Sequence, residues 1–339
     1  MSLRHRRFPA GDVKTRPLMK TSLGLDMAAA TFAACLWFDA KRHAKAVFPN
    51  TRIGFRRLDK WIKSHGLGAL RVGIECTNTY GQAVAQWLFD QGHEIYLLNP
   101  ERTSHYAQAR GQHNKTDPSD ALNIAAFVAL HELSAWQPPS PEQAALCALT
   151  RTRADLVSLG QQLANQLRTA QPIARPYLKS SLQCIKLQIA QIEKTIRQHL
   201  KEDPALNDKV QLLRSIKGVG WLTAVIAIAE LPNVDQHTDA RAICAWAGLI
   251  PKRWQSGKTE LPSRLSKRGN RHLRQALFMP ALVAKKHNPL LRAFADKLLA
   301  KGKRPGAIVG AVAHKMLRII VGLLKSNSSF DPNWALNKT

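Results

Sequence analysis

Cysteine is scarce in this chain and poorly placed for cross-linking. The five thiols, Cys35, Cys76, Cys147, Cys184 and Cys244, are scattered, odd in number and never spaced Cys-x-x-Cys. That argues against a disulfide framework or a zinc finger and for a reducing compartment. The stretch Met27–Phe38 is too short to span a bilayer and follows an aspartate, and no apolar segment directly follows Arg6 and Arg7. Neither reads as a membrane span or an export signal, so a soluble cytoplasmic protein is expected. No internal repeat or low-complexity tract stands out. Acidic residues are few, 23 Asp+Glu against 50 Lys+Arg, a formal net charge of +27 over 339 residues.

An excess of cations this large favours a polyanionic partner, because neutralising phosphates releases condensed counterions. Nucleic acid fits better than an anionic membrane, for which no long basic amphipathic helix is present. The cations are clustered. The first 20 residues hold Arg4, Arg6, Arg7, Lys14, Arg16 and Lys20 against Asp12 alone. Residues 251–275 hold Lys252, Arg253, Lys258, Arg264, Lys267, Arg268, Arg271 and Arg274 against Glu260 alone. Lys297, Lys301, Lys303 and Arg304 make a third group.

Periodicity divides the chain into a basic arm at 1–20, an α/β domain at 21–137, a helical linker at 138–205, a mostly helical domain at 206–330 and a tail at 331–339. In the α/β domain, strands are expected at Ser22–Asp26, Thr31–Phe38, Lys45–Phe48, Ala69–Glu75 and Glu94–Leu98. Helices are expected at Ile53–His65, Gly81–Gln91 and Pro118–Leu130. Such alternation implies a sheet with at least one parallel pair. Residues 135–141 (Ala-Trp-Gln-Pro-Pro-Ser-Pro) make a boundary. Two long helices follow, separated by Pro172 and Pro176. Leu156, Leu159, Leu163 and Leu167 line the first, and Leu178, Leu182, Ile185, Ile189, Ile192 and Ile196 form a heptad seam on the second. The seam serves an intramolecular hairpin or a dimerisation arm. The last domain passes through a loop rich in Lys, Arg, Ser and Gly and closes on helices near Arg271–Lys286 and Ala307–Lys325.

Four acids stand out. Asp26 ends the first strand and Glu75 ends a later one; Asp117 and Asp120 lie three apart at a helix start, hence on one face. Four converging carboxylates make a hard, oxygen-rich site for Mg²⁺ or Mn²⁺. Two such ions stabilise the entering and leaving oxygens of a phosphoryl transfer. Each acid also has a plain structural reading. Asp117 before Pro118 is an N-cap with Pro at N1, Asp120 then falls at N3, and Asp26 and Glu75 suit strand ends facing water. The order, acid on strand one, acid on a later strand, paired acids on a downstream helix, is that of ribonuclease H-like nucleases.

A second constellation surrounds Ser256. The serine-glycine turn Ser256-Gly257 lies among Lys252, Arg253, Lys267, Arg268, Arg271 and Arg274. Gly257 lets a phosphate backbone approach, and Gly269-Asn270 opens a helix whose amides can meet phosphate. Ser256 is either a turn residue beside a DNA grip or a nucleophile, and a nucleophilic serine needs a base or metal to activate it. Upstream, Lys217-Gly218-Val219-Gly220 between apolar segments has the helix-hairpin-helix pattern, whose glycine amides meet phosphates without reading sequence.

From Ser22 to Phe330 these blocks resemble the DEDD-type insertion-sequence transposases of the IS-one-ten group, to which Piv-type pilin-gene invertases are also similar. The resemblance rests on Gly-Leu-Asp26, Phe-Pro-Asn-Thr-x-x-Gly-Phe at 48–55, Ile-Glu75-x-Thr-x-x-Tyr-Gly, Asn99-Pro100 and Asn-Lys-Thr-Asp117-x-x-Asp120-Ala. Gly-Val-Gly-x-x-Thr-Ala, Ala-Gly-Leu-x-Pro-x-x-x-x-Ser256-Gly and Ser-Lys-Arg-Gly-Asn270 complete it. It departs at Ala29, where relatives usually carry lysine. It implies a RuvC-like, ribonuclease H-like α/β domain whose tetrad is Asp26, Glu75, Asp117 and Asp120. A long helical coiled-coil hairpin would join this to a mostly α transposase domain whose nucleophile is Ser256. It implies cleavage and rejoining of DNA through a phosphoserine link, with the metal-bound tetrad coming from a neighbouring subunit. Homodimers that pair into tetramers and, in some members, a guiding non-coding RNA are likewise implied. A hydrolytic nuclease using the tetrad alone and a non-catalytic nucleic-acid-binding derivative remain as alternatives.

Overall fold

The computed structural model describes residues 21–75, 79–109, 111, 117–231, 234, 239–256, 259–266 and 269–331; for 79, 117, 118, 252–256 and 259–264 it describes the backbone alone. The basic arm at 1–20 and the tail beyond Asp331 lie outside these residues. The chain divides into two compact units between Pro138 and Pro139.

The first unit is a five-stranded mixed sheet in the order β3-β2-β1-β4-β5. β1 (Ser22–Met27), β2 (Thr31–Trp37) and β3 (His43–Pro49) run antiparallel. β4 (Arg71–Glu75) and β5 (Glu94–Leu98) then add in parallel beside β1. The expected parallel pairing therefore occurs twice. α1 (Arg52–Ser64) starts where Thr51 Oγ1 accepts from Gly54 N, and it buries Phe55, Leu58 and Ile62 at helical spacing. These side chains, with Val84 and Leu88 of α2 (Gln82–Asp90), cover the face formed by Leu23, Leu25, Val72 and Ile74.

The opposite face takes α4 (Asp117–Leu130). It can lie close to β1 and β4 because they present Gly24 and Gly73 to it. A Cβ on Gly24 would sit 2.1 Å from the Ala121 carbonyl oxygen, and one on Gly73 would sit 2.6 Å from Val128 Cγ2. Ser22 Oγ donates to the Ala125 carbonyl at 2.8 Å, fixing the helix along β1. One helix was not expected. α3 (Pro100–Ala109) occupies the segment after Asn99-Pro100, which reads in the sequence only as a strand stop. Asn99 Oδ1 accepts from Glu101 N at 2.9 Å, and Pro100 has no N–H to satisfy, so the pair starts a helix.

The second unit is helical apart from one hairpin. α5 (Pro141–Thr169) and α6 (Arg175–Glu202) pack along each other. The six seam residues of α6, from Leu178 to Ile196, are buried or half-buried on a helix otherwise mostly exposed. On α5 the expected line needs one correction. Leu159 is 45% exposed, and Gly160 takes its place, 3.4 Å from Ile185 Cγ2 for a built Cβ. A 4-3-4 spacing through Leu156, Gly160, Leu163 and Leu167 keeps one face where 3-4-4 drifts. Pro176 also does not separate the helices. It sits in the first turn of α6, where its missing N–H costs nothing.

α7 (Pro204–Arg214), α8 (Trp221–Glu230) and α9 (Ala240–Trp246) lead to the antiparallel pair β6 (Pro251–Ser256) and β7 (Thr259–Leu265). The stretch expected as an irregular cationic loop is thus largely a hairpin. Ser256 pairs with Thr259, and the expected serine-glycine turn at Gly257 lies outside the described residues. α10 (Arg271–His287), α11 (Pro289–Ala300) and α12 (Pro305–Ser326) complete the unit. α12 is long and apolar enough to cross a membrane. Its Val312, Met316, Leu317, Ile320 and Val321 are fully buried in the unit's main core, so it reads as the core helix of a folded domain.

Candidate active site

The acidic residues are placed by strand register. Leu25 pairs with Ile74, so Asp26 and Glu75 occupy neighbouring positions at the ends of parallel β1 and β4. Side chains alternate along a strand. Gly24 and Gly73 face α4, and Asp26 and Glu75, two residues further on, fall on that same face. The helix runs antiparallel to β1. Ser22 meets Ala125 and Gly24 lies against Ala121, so the next step along β1 leads towards the first turn of α4, which carries Asp117 and Asp120. Asp26, Glu75 and Asp120 are each half-buried. The helix starts at Asp117 itself, one residue earlier than expected, and its positive end is directed at this edge.

Glu75 accepts a hydrogen bond from Thr103 Oγ1 at 3.0 Å. Thr103 is 4% exposed and belongs to α3, so sequence reasoning missed both the helix and this partner. The signal was Asn99-Pro100, which fixes where α3 begins. Among the described residues no three His, Cys, Asp or Glu side chains stand close enough to hold a metal ion, and the Asp117 side chain lies outside them. Among those residues, then, strand-end acids and the helix start share one edge without closing into a cage.

In the second unit Ser256 ends β6 and pairs with Thr259 across the turn. Lys252 pairs with Arg264, so two cationic positions lie opposite each other on the ladder. The side chains of Lys252, Arg253 and Ser256, and all of Gly257, Lys267 and Arg268, lie outside the described residues. The return to α10 is anchored at both ends. Ser266 N donates to the Ile250 carbonyl at 2.9 Å, and Asn270 N donates to the Trp246 carbonyl at 2.9 Å. Gly269 between them has φ +102°, and a Cβ there would lie 1.7 Å from the Trp246 oxygen. Only glycine fits this approach.

Three residues expected to meet nucleic acid have internal tasks. Asn270 caps α10, its Oδ1 accepting from Leu273 N at 3.0 Å, while its Nδ2 donates to Glu230 at 2.6 Å. Arg274 Nη1 donates to the Ala247 carbonyl at 3.0 Å. Gly218, with φ +110°, packs against Ala284, the Cβ of which would be 2.9 Å from a Cβ at 218. Gly220, by contrast, opens α8 with nothing within 4 Å of a built Cβ. Arg271 is exposed, 3.8 Å from Asp155. No motif marks Glu230, which is 2% exposed and held by both Arg151 and Asn270. Burial pushes its carboxyl up, but hydrogen bonds from Arg151 and Asn270 and the Arg151 charge outweigh that, and the group titrates below the usual carboxylate range. Burial lowers His272, in the first turn of α10, below its ordinary value.

Two family models match the chain. Residues 23–172 match the DEDD transposase domain of IS110 elements, and residues 210–296 match a domain described as transposase of the IS116/IS110/IS902 family. The pilin gene-inverting protein of Moraxella bovis is 30% identical over 322 residues, 93% of this chain and 98% of that protein. The transposase of insertion sequence element IS1111A from Coxiella burnetii is 26% identical, over 78% of each chain. A probable family 20 transposase of Pseudomonas aeruginosa is 25% identical over 73% of this chain and 82% of its own. The chain belongs to the IS110 family of transposases. Its class is DNA transposase or recombinase, and its substrate is DNA.

Proposed function

We propose that this protein cleaves and rejoins DNA with Ser256 as nucleophile, assisted by the acidic edge formed by Asp26, Glu75, Asp117 and Asp120. The observation that carries this reading is the hairpin. Ser256 ends β6, paired with Thr259 of β7, inside the most cation-rich segment of the chain. Serine Oγ attacks a DNA phosphorus, the bond to the leaving strand oxygen breaks, and the serine proton passes to a base while the leaving oxygen is protonated. The phosphoserine link conserves the phosphodiester energy. A strand hydroxyl then displaces the serine and no nucleotide cofactor is consumed. Lys252, Arg253, Lys267, Arg268 and Arg271 supply positive charge where the phosphorane develops negative charge. Gly220, at the open start of α8, leaves backbone amides for a phosphate contact independent of sequence.

The donor set at the acidic edge fits a divalent cation, since it offers only oxygens, from adjacent strand ends and a helix start on one face. When bound, Mg²⁺ or Mn²⁺ would stabilise charge on the entering and leaving oxygens. Asp26 and Glu75 would hold it from the sheet, Asp117 and Asp120 from the helix, and Thr103 would orient Glu75 through its hydroxyl. Acids and serine belong to different units, which suits assembly of the reaction from homodimers or tetramers on DNA. A guiding non-coding RNA fits a protein with this many cations and remains part of the same reading.

The test is denaturing electrophoresis of the protein with a plasmid carrying the DNA that flanks its gene. A covalent protein–DNA adduct is expected, and Ser256→Ala abolishes it. Adduct-free cutting that survives Ser256→Ala would establish a hydrolytic nuclease instead, and normal DNA binding without strand chemistry would establish a binding derivative. Asp117→Asn keeps a side chain able to cap a helix. Lost activity with unchanged helicity and melting in this variant separates cation binding from capping.

A further inference from the structure

The second unit buries one carboxylate that the proposed chemistry does not use. Glu230 closes α8 and is 2% exposed. Burial of a charge is costly unless it is paired and hydrogen-bonded. Here the pairing is complete. Arg151 Nε donates to Oε1 and Arg151 Nη2 to Oε2, both at 2.8 Å, a bidentate fork. Asn270 Nδ2 donates to Oε2 at 2.6 Å, and the Cys147 thiol lies 3.6 Å from Oε1. Arg151 belongs to α5, Glu230 to α8, and Asn270 starts α10, so three elements meet on one side chain.

Buried ion pairs are an inefficient source of stability, because apolar side chains of similar volume serve as well. What this pair delivers is direction. The Asn270 amide is committed at both ends, to Glu230 through Nδ2 and to Leu273 N through Oδ1. Its backbone N–H is committed to Trp246, and Gly269 is jammed against the same carbonyl. At the other end of this segment Ser266 is tied to Ile250, the residue before β6. Ser266, Gly269, Asn270 and the base of the Ser256 hairpin therefore share one frame.

We propose that Glu230 is a positioning residue for strand transfer: through Asn270 it fixes the start of α10 against Trp246, at the end of α9 that leads into the Ser256 strand, and through Arg151 it ties that frame to α5. This rests on the reading of Ser256 as the reacting group.

The test exchanges donor and acceptor. Glu230→Gln turns an amide donor towards Arg151 or Asn270, which are themselves donors. Asn270→Asp sets two carboxylates against each other. In the double variant the amide nitrogen introduced at position 230 donates to the carboxylate introduced at position 270. The introduced amide oxygen accepts from Arg151, and the cap to Leu273 persists. Strand-joining rate at saturating plasmid, half-saturating plasmid concentration and melting temperature are measured for the full-length protein. Each single variant is expected to lose on the order of 10- to 100-fold in the saturated rate, the scale of a misplaced reacting group, and the double to regain most of it. Half-saturation should move far less than the rate, a split that lost stability alone does not produce below the melting transition. Wild-type saturated rates in both singles would overturn the proposal, as would a double variant that regains melting temperature but not rate. If a single variant fails to fold, Arg151→Lys replaces it, keeping the charge and losing the fork. Ser256→Ala runs in parallel. Full activity there sinks the serine reading, whereas an inactive Ser256→Ala beside unaffected Glu230→Gln sinks the positioning role alone.

Discussion

Gly24→Ala adds one methyl group where the first unit has no room for it. The new Cβ would lie 2.1 Å from the Ala121 carbonyl oxygen, 2.4 Å from Ala125 N and 3.0 Å from Ala125 Cα, all backbone atoms of α4. An ordinary C···O approach is about 3.3 Å, so α4 must retreat from β1 by roughly 1 Å. That movement opens gaps at Ala33, Cys35 and Ala121, which are packed together with at most 5% exposure. It also stretches the 2.8 Å bond from Ser22 Oγ to Ala125. Overpacking in a filled core typically costs ~1–3 kcal/mol, and a backbone clash belongs at the upper end. For a unit of this size ~3 kcal/mol corresponds to a fall of roughly 10–20 °C in its melting temperature. Differential scanning calorimetry of the full chain reads this as a shift of one transition, with the second unit's transition unmoved. Because α4 carries Asp117 and Asp120, strand chemistry at a temperature where the variant is folded should fall as well. A melting temperature unchanged to within about 2 °C would refute the packing argument and the claim that glycine here sets the helix distance.

Removing the Arg151 guanidinium should change the pH dependence of stability as well as its size. In the wild type Glu230 titrates below its unfolded value, so its contribution is complete above the usual carboxylate range and is lost as pH falls through the folded value. In Arg151→Met, burial acts against a weaker opposition and the carboxyl rises above its unfolded value. Stability then falls as pH rises above the usual carboxylate range, and the gap from wild type should be wider at neutral pH than at a pH within that range. Arg151 is 33% exposed, so the loss near neutrality is set at ~3 kcal/mol, the low end for a broken buried pair. An equal gap at both pH values in thermal melts would contradict this. Gly218→Ala combines φ +110° with a 2.9 Å approach to Ala284 Cβ, and it should destabilise the second unit by ~1–3 kcal/mol in thermal melts. Gly220→Ala meets open space at φ −80° and should stay within about 1 kcal/mol; equal losses in the two would show that neither position is read correctly.

Much of the first unit was legible because its strands carry short apolar runs and its helices carry caps. β5 at Glu94–Leu98 matches the expected bounds, and the others differ by at most two residues at either end. α3 was missed because a proline after a strand reads as a stop, although Asn-Pro starts a helix equally well. The β6–β7 hairpin was missed because its positions are mostly charged, polar or proline and show no regular alternation of apolar and polar residues. Leu159 reads as a seam residue by its hydrophobicity, yet the helical repeat gives that face to Gly160.

Composition alone favoured a polyanionic partner, since +27 of charge gains from neutralising phosphates, and local motifs showed which residue types could do phosphoryl chemistry. Tertiary structure decided placement. It set Asp26 beside Glu75 through parallel register and aimed the start of α4 at the same edge. It also withdrew Asn270, Arg274 and Gly218 into internal bonds and contacts. Glu230 shows why the division falls there. Its neighbours Arg151 and Asn270 stand 79 and 40 residues away along the chain. The value of a charge depends on what is brought within about 3 Å of it, which no local pattern records.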